Sequence, residues 1–374
     1  MDTQKSMILI LHSSAGHGHK NAAKAVEEAC RAKNPSADIR CVDALDYAAP
    51  VYSEGYRKTY LFLIDRLPAL WGLFYYFLDH PMTDAMVRPL RRLVNSVFGS
   101  RLERFVVSEN PSVIVCTHFF PLEVVGRLKR SGKIRSRLGV VVTDYLPHYF
   151  WVEGTADFYV AAIEETKTAL KERGVPESKV RVLGIPIESK FEIRRSRAEA
   201  SASLGVSKDR FTVLLTSGGA GIGLTGEIAK RLLAFAKPLQ VLAICGNNQT
   251  LFENLSASAK TDDRLKVFGF VKNMDILMEA SDIVIGKSGG LTLTESLSKK
   301  KPMIILRPVP GQETRNADCA KLYRAGLVAS SVSEAVELVR RAMENATFLG
   351  GLTEGAARMS RPRAARDIAQ WIDP

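Results

Sequence analysis

Short apolar runs recur along the chain, and longer stretches with helical spacing of apolar residues separate them. The runs are continuous and do not alternate with polar residues, which is typical of strands covered by helices on both faces. The first series is MILIL (7–11), IRCV (39–42), SVIVC (112–116), GVVVT (139–143) and DFYVAA (157–162). The second series is FTVLLT (211–216), LQVLAIC (239–245), LKVFG (265–269), DIVIG (282–286) and PMIIL (302–306).

The repeated order of strand and helix predicts parallel sheets connected by right-handed crossovers. A charged stretch of low hydrophobicity, 192–210, separates the two series, and we interpret it as a linker with one short helix. The predicted fold is α/β, with two doubly wound Rossmann-like domains facing a cleft, where ligands bind at the carboxyl ends of the strands. We expect domains over 1–190 and 200–358, and a last helix over 359–374 that returns to the first domain.

The segment 50–110 departs from this order because it contains no convincing strand and combines aromatic residues with basic ones. Its aromatic residues include Tyr52, Tyr56, Tyr60, Phe62, Trp71, Phe74, Tyr75, Tyr76 and Phe77. Its basic residues are Arg57, Lys58, Arg66, Arg88, Arg91, Arg92, Arg101 and Arg104. Helices with aromatic faces and basic flanks are typical of membrane-surface segments. We predict membrane contact here; the alternative is a helical insertion that packs its aromatic residues into the first domain.

Composition narrows the class of protein. The 374 residues are 46% hydrophobic and 25% charged, as in ordinary globular domains, and the length suits two of them. The net charge of +12 indicates phosphate-rich partners, namely nucleic acid, anionic lipids or nucleotides. We predict no nucleic-acid partner, because RNP-like, KH-like and zinc-finger patterns are missing from the sequence. Five scattered cysteines without a C-x-x-C pair argue against disulfides and a zinc site.

Hydropathy indicates where the protein works. The apolar run LPALWGLFYYFL (67–78) is shorter than the roughly 18 to 20 residues that a membrane-spanning helix needs. The apolar stretch at 7–11 is too short for an export signal. We therefore expect a cytoplasmic protein that lies peripherally on the inner face of the cell membrane.

The first candidate chemical motif is the loop Gly16-His17-Gly18-His19, which follows the first predicted strand and opens a helix. Glycines at such a position permit a tight turn and a close approach of ligand to backbone. The loop matches neither the dinucleotide fingerprint nor the Walker loop. A histidine at a helix start beside a cleft can act as a base near neutral pH, so His19 is a candidate base; helix capping is the alternative.

Two further glycine loops stand between a strand and a helix in the second half. One is 217–223, which contains Gly218 and Gly219, and the other is 286–295. Free amides and a helix N-terminus suit a diphosphate, and Lys287 adds a positive charge. Glu295 can accept hydrogen bonds from two ribose hydroxyls, unless it is only a solvated helix carboxylate. The rigid loop 308–313 ends in an amide and a carboxylate, which suit a sugar.

The motifs form one ordered set: GxGH at 16–19, TDY-x-PH-x-x-W at 143–151, GIPI at 184–187, KSGG-x-TLTE at 287–295 and VPGQE-x-x-N at 309–316. This set resembles the monogalactosyldiacylglycerol synthase and processive diacylglycerol glucosyltransferase family, over about 7–330. The resemblance implies a GT-B fold, an inverting mechanism without an essential metal or other cofactor, and a membrane-bound diacylglycerol acceptor. It also implies UDP-glucose or UDP-galactose as donor and anionic membrane lipids as partners.

The resemblance makes His19 the catalytic base, although His17 stands where relatives have smaller or amide residues, so the choice between the two histidines stays open. The residue patterns and the resemblance together assign the donor to Gly18, Gly218, Gly219, Phe270, Val271, Lys287, Ser288, Gly289, Gly290, Glu295, Gln312 and Glu313. They assign the acceptor or the membrane to Trp71, Phe74, Tyr75, Arg88, Arg91, Arg92, Asp144, His148 and Trp151. No metal ligands are predicted.

Two other functions remain open from the sequence. One is transfer of the sugar to a polyprenyl-linked or other lipid acceptor, and the other is a non-catalytic module that binds a nucleotide sugar. The element at 143–151 favours the glycerolipid branch, because the enzyme that acts on the polyprenyl-linked precursor usually lacks it. Release of UDP with diacylglycerol, with a lipid precursor and without acceptor separates these functions.

Overall fold

The computed structural model describes residues 7–14, 16–48, 55, 59, 62–63, 66–216, 224–235 and 238–372. Its first sheet consists of Met7–His12 (β1), Asp38–Asp43 (β2), Val113–Cys116 (β3), Arg137–Val141 (β4), Phe158–Ala161 (β5) and Val180–Val182 (β6). The strands are parallel and lie in the order β2-β1-β3-β4-β5-β6. The first half of the chain is therefore one doubly wound sheet.

The second sheet consists of Phe211–Thr216 (β7), Leu239–Ile244 (β8), Leu265–Phe268 (β9), Ile283–Gly286 (β10), Met303–Leu306 (β11) and Gly326–Ala329 (β12). It is also parallel, in the order β12-β11-β10-β7-β8-β9. The predicted strands and the α/β class are confirmed. The edge strands β6 and β12 are additional to the prediction.

Helices cover the sheets. Those of the first half are His17–Lys33 (α1), Pro68–Leu78 (α2), Pro81–Phe98 (α3), Ser100–Glu109 (α4), Phe119–Arg130 (α5) and Glu164–Glu172 (α6). The remainder are Arg197–Leu204 (α7), Thr225–Leu233 (α8), Gln249–Ala259 (α9), Met274–Ala280 (α10), Gly290–Ser298 (α11), Gln312–Leu322 (α12), Val332–Glu344 (α13), Ala346–Met359 (α14) and Ala364–Trp371 (α15). In the part of the chain that the structure describes, no helix combines the length and hydropathy needed to cross a membrane.

The contacts divide the chain into two compact units. The first comprises Met1–Ser189, Val309–Gln312 and Arg361–Pro374, and the second comprises Lys190–Pro308 and Glu313–Ser360. In the first unit, alternate residues of β1 enter two different cores: Leu9 and Leu11 face one, and Ile8 and Ile10 face the other. Burial on both faces explains why the strand is a continuous apolar run.

The stretch 192–210, interpreted above as a linker, groups with the second unit. Arg195 binds Asp275 across 2.7 Å, and Arg197 binds Asp282 across 2.9 Å. Buried Lys299 donates to the carbonyl oxygen of Ile193. The high charge of this stretch therefore reflects ion pairing to the second unit and not the solvation of a free linker.

The last helix, α15, groups with the first unit, where Trp371 packs against Phe158 with the ring centroids 4.7 Å apart. The Phe158 ring lies across Gly139 on the neighbouring strand. A methyl group at Gly139 would be only 2.0 Å from Phe158 Cζ, so glycine is what leaves room for this ring.

We predict that Gly139→Ala lowers the free energy of unfolding of the first unit by about 1–3 kcal/mol, the usual cost of overpacking a core. Gly154→Ala is the matched control, because a methyl group there meets nothing within 4 Å. Chemical denaturation followed by circular dichroism measures both. Equal stability of the two variants would contradict this account of the packing.

Candidate active site

The predicted catalytic loop lies between β1 and α1. Gly16 is extended and precedes α1, whose first turn contains Gly18 and His19. Ala15 and the side chain of His17 lie outside the described part of the chain. The helix start thus brings His19 to the carboxyl edge of the sheet, next to the residues that follow β3 and β4.

The His19 ring is held through its Nδ1 atom. Nδ1 lies 2.8 Å from the carbonyl oxygen of Thr117 and 2.9 Å from Oγ1 of Thr143. A carbonyl oxygen only accepts, so the bond to Thr117 requires the proton on Nδ1. The neutral ring then has its lone pair on Nε2. This is the tautomer in which Nε2 can accept a proton from a substrate.

The surroundings of His19 favour the neutral ring. Burial lowers the pKa of His19, while the Asp144 carboxylate and the bond to Thr117 act in the opposite direction. His118 lies edge-on to the ring, with centroids 4.6 Å apart. Burial also holds the pKa of His118 well below its usual value, and its Nδ1 accepts from Phe120 N at 3.1 Å. His118 is therefore a neutral neighbour that caps α5.

Asp144 connects two other predicted site residues, Trp151 and Gln312. Its Oδ2 atom accepts from Trp151 Nε1 at 3.2 Å, and its Oδ1 atom accepts from the side-chain amide of Gln312. Trp151 is only 2% exposed, which excludes the membrane surface from the acceptor or membrane role predicted for it; contact with the acceptor stays a prediction. Its indole instead orients the carboxylate, and the segment Val309–Gln312, which groups with this unit, contributes the second bond.

His148 anchors helix α2 and does not reach the surface. Its Nδ1 accepts from Phe150 N at 3.2 Å, and its Nε2 donates to the carbonyl oxygen of Tyr75 at 3.1 Å. Asp79, next to the end of α2, accepts from Tyr149 N at 2.7 Å. Because the ring is buried and bonded on both nitrogens, His148 does not lie on a membrane-facing surface, and the predicted contact with the acceptor stays a prediction.

Helices α2 and α3 expose an apolar surface. On α2 the exposed residues are Leu70, Leu73, Phe74, Tyr76 and Phe77, while Trp71 and Tyr75 are half-buried. On α3 the exposed residues are Met82, Met86, Leu90, Leu93 and Val97, each at least 60% exposed. Their spacing of three and four places them on one face of α3. We call this set of α2 and α3 residues the apolar surface; the α3 spacing was present in the sequence but was not recognised.

The opposite face of α3 is charged and points inward. Buried Asp84 pairs with Arg88 and Arg91, and Arg91 also binds Glu123 on α5 at 2.6 Å. The Arg91 side chain is only 13% exposed, so it does not form part of a basic outer surface as predicted. Arg88 and Arg92 are about a third exposed, and Arg92 lies 3.9 Å from Glu153.

In the second unit, β10 ends at Gly286, Gly289 caps the next helix and α11 begins at Gly290. Buried Ser288 donates from Oγ to the carbonyl oxygen of Glu313 at 2.7 Å. Asn316 donates from Nδ2 to the carbonyl oxygen of Ser288 at 2.9 Å. Two hydrogen bonds with the first turns of α12 thus hold this turn in place. They explain why the motifs at 287–295 and 309–316 occur together in the sequence.

The remaining predicted donor residues are distributed as follows. Lys287 is exposed, and Glu295 is half-buried in the second turn of α11. Phe270, after β9, is 64% exposed, and Val271 beside it is half-buried. Gly218 and Gly219 lie outside the described residues. Within the described part of the chain, no group of three or more His, Cys, Asp or Glu residues is arranged to hold a metal ion.

Comparisons with known proteins agree with this architecture. The family model described as monogalactosyldiacylglycerol (MGDG) synthase matches residues 19–187, and the glycosyltransferase family 28 C-terminal domain matches residues 216–321. The processive diacylglycerol beta-glucosyltransferase of Bacillus mycoides (strain KBAB4) is 30% identical over 368 residues, covering 98% of this chain and 92% of that protein. The protein of the same name from Bacillus pumilus (strain SAFR-032) is 29% identical over 374 residues, 100% of this chain and 95% of that one.

Among solved structures, Acinetobacter baumannii MurG has a TM-score of 0.66 at 13% identity, covering 98% of this chain and 99% of that chain. The fold and the two matched domains define a glycosyltransferase of the GT-B class. The chain belongs to the processive diacylglycerol glucosyltransferase family.

We predict that the pKa of the His19 ring is lower than that of an exposed histidine and that its neutral form carries the proton on Nδ1. Burial disfavours the imidazolium, so the neutral ring persists to lower pH than in an exposed histidine. Two-dimensional ¹⁵N NMR of the imidazole nitrogens measures both properties, and His19→Gln identifies the signals. A neutral ring protonated on Nε2 would contradict the hydrogen bonding described here.

Proposed function

We propose that the protein transfers glucose or galactose from a UDP-sugar to the hydroxyl group of diacylglycerol, with inversion, and so makes a glycoglycerolipid. The observation that carries the proposal is the His19 ring, bonded through Nδ1 and with the lone pair on Nε2. The named relatives act on diacylglycerol and are β-glucosyltransferases. A β product from an α-linked UDP-sugar requires inversion, which supports a single displacement.

In the proposed step, the diacylglycerol hydroxyl gives its proton to Nε2 of His19. Its oxygen attacks the anomeric carbon while the bond from that carbon to the UDP oxygen breaks. UDP leaves with the bonding electrons, and the imidazolium then returns its proton to water. A positioned base of this kind accelerates transfer by about 10²–10⁴-fold.

The donor is proposed to bind the second unit at the turn Ser288–Gly290. The start of α11 offers free amides and the positive end of a helix dipole to the diphosphate, and Lys287 adds a charge. This preorganised field is proposed to replace a metal ion as the group that stabilises the leaving UDP. Glu295 is proposed to hold the ribose.

The other donor contacts follow the sequence motifs. Phe270 and Val271 are proposed to flank the uracil, and Gln312 and Glu313 to contact the sugar. Gly18, Gly218 and Gly219 are proposed to let the backbone approach the donor closely. The clamp between Ser288 and the start of α12 supports this assignment, because it joins the diphosphate motif to the proposed sugar motif.

The apolar surface of α2 and α3 is proposed to lie on the inner face of the cell membrane, where diacylglycerol is dissolved. An amphipathic helix binds there through its apolar face. Exposed Arg101 and Arg104 supply positive charges that attract anionic lipids. Arg88 and Arg92 contribute less, because each already has an acidic partner.

We predict that His19→Ala lowers the turnover of UDP-glucose or UDP-galactose with diacylglycerol by about 10²–10⁴-fold, because the base is lost. The dissociation constant of UDP, measured by calorimetry, stays within about twofold of the parent. Thin-layer analysis of the labelled lipid identifies the sugar and the acceptor. Near-parental turnover would exclude His19 as the base, and labelling of only a polyprenyl-linked lipid would exclude diacylglycerol as the acceptor.

We also predict that the triple variant Met86→Glu, Leu90→Glu and Leu93→Glu binds phosphatidylglycerol-containing vesicles at least tenfold more weakly than the parent. Burial of each of these side chains is worth about 1.5–3 kcal/mol when complete, and a carboxylate reverses the gain. Vesicle flotation measures the binding. Leu322→Glu, at an equally exposed position in the second unit, is the matched control and should float like the parent. Equal flotation of the triple variant would exclude this surface as the docking site.

A further inference from the structure

Two threonines surround His19, and each follows a neighbouring strand of the first sheet. Thr117 comes after β3, and Thr143 comes after β4. Both are buried, Thr143 to 3% exposure. Thr117 also donates from Oγ1 to the backbone carbonyl of His19 at 3.0 Å. The backbone of α1 is therefore held at its first turn, and the ring is held separately.

The hydroxyl oxygen of Thr143 has a defined role in this arrangement. Because the proton on Nδ1 is required by the Thr117 carbonyl, the Thr143 oxygen 2.9 Å away must accept from the same N–H. When Nε2 takes a second proton, the Nδ1 proton remains and the ring becomes positive. Hydrogen bonds to a charged group are stronger than bonds to a neutral one. The Thr143 oxygen therefore stabilises the protonated ring more than the neutral ring.

We propose that Thr143 is a positioning residue for sugar transfer: its hydroxyl oxygen fixes the His19 ring and stabilises the imidazolium that forms when the acceptor loses its proton. This inference rests on the proposed function of His19 as the base. Neither the motif nor the resemblance to the family gives Thr143, the first residue of the TDY motif, this role.

Other charged or titratable groups also influence the pKa of His19, and their influence can be distinguished from that of the Thr143 hydroxyl. Asp144 follows Thr143 directly and is the carboxylate that favours the imidazolium. His118, before α5, and His12, at the end of β1, also interact with His19, and burial lowers the pKa of each. Thr143→Val leaves all three groups in place, so the variant tests the hydroxyl alone.

The experiment compares Thr143→Val with Thr143→Ser in the full chain with diacylglycerol vesicles. Valine keeps the shape but removes the oxygen, and we expect kcat to fall about tenfold while KM for the UDP-sugar changes less than twofold. The acid limb of the kcat–pH profile should move to lower pH, because the imidazolium loses an acceptor and the pKa of His19 falls. Serine restores the oxygen, so kcat and the limb should return to near the parental values.

A matched control distinguishes loss of the contact with His19 from the loss of any buried hydroxyl group. Ser136 is buried in the same unit and donates to the carbonyl oxygen of Pro111 at 2.6 Å. Ser136→Ala should retain the parental kcat and pH profile. NMR titration of His19 in Thr143→Val gives a readout that does not depend on activity, and its pKa should lie below that of the parent.

Each outcome supports or overturns the inference. A parental profile and a parental His19 titration in Thr143→Val would overturn it, and so would a serine variant as impaired as the valine variant. Failure of the proposed function is distinguishable, because His19→Ala would then remain active. An inactive His19→Ala together with a parental Thr143→Val would leave the base in place and reject only the role of Thr143.

Discussion

The hydrogen bond from His19 Nδ1 to the carbonyl oxygen of Thr117 is the interaction on which the proposed chemistry depends. It joins the first turn of α1 to the end of β3, and so it requires the parallel order in which β3 lies beside β1. Since the acceptor is a backbone carbonyl, no side-chain substitution at Thr117 removes it directly. The tautomer of His19 is consequently a property of the fold.

The opposing effects on the pKa of the His19 ring are consistent with the base that we propose it to be. Burial lowers its pKa, which keeps Nε2 unprotonated near neutral pH, while the Asp144 carboxylate limits the decrease. Trp151 and Gln312 hold that carboxylate in place through its two oxygens. Without such bonds the carboxylate would be free to rotate, and the imidazolium of the proposed transfer step would lose the negative charge that favours it.

How far the sequence predicts the structure depends on what each pattern encodes. Continuous apolar runs such as β1 report burial on both faces, so strands and fold class were predictable. The edge strands β6 and β12 were missed because they are only partly buried, so they lack the pattern that marks a strand covered on both faces. The position of Arg91 was predicted wrongly, because composition does not say which way a helix is rotated. The burial of Trp151 was not apparent from the motif that contains it. The backbone bond to His19 leaves no signature in the sequence at all.

Helix α3 shows how buried charge determines an outer surface. On its inward face, Arg91 binds both Asp84 and Glu123 of α5. Removal of any one of these three side chains would leave a buried charge without its partner. The side chains of a helix project on all sides of its axis. When one face packs against the protein, the opposite face is therefore exposed. In α3 that face is the row from Met82 to Val97, which is apolar. The ion pairs therefore fix the rotation of the helix and with it the exposure of the apolar surface. In most amphipathic helices burial of the apolar face sets the rotation. In α3 the ion pairs set it instead, so arginine content alone did not predict that Arg91 points inward.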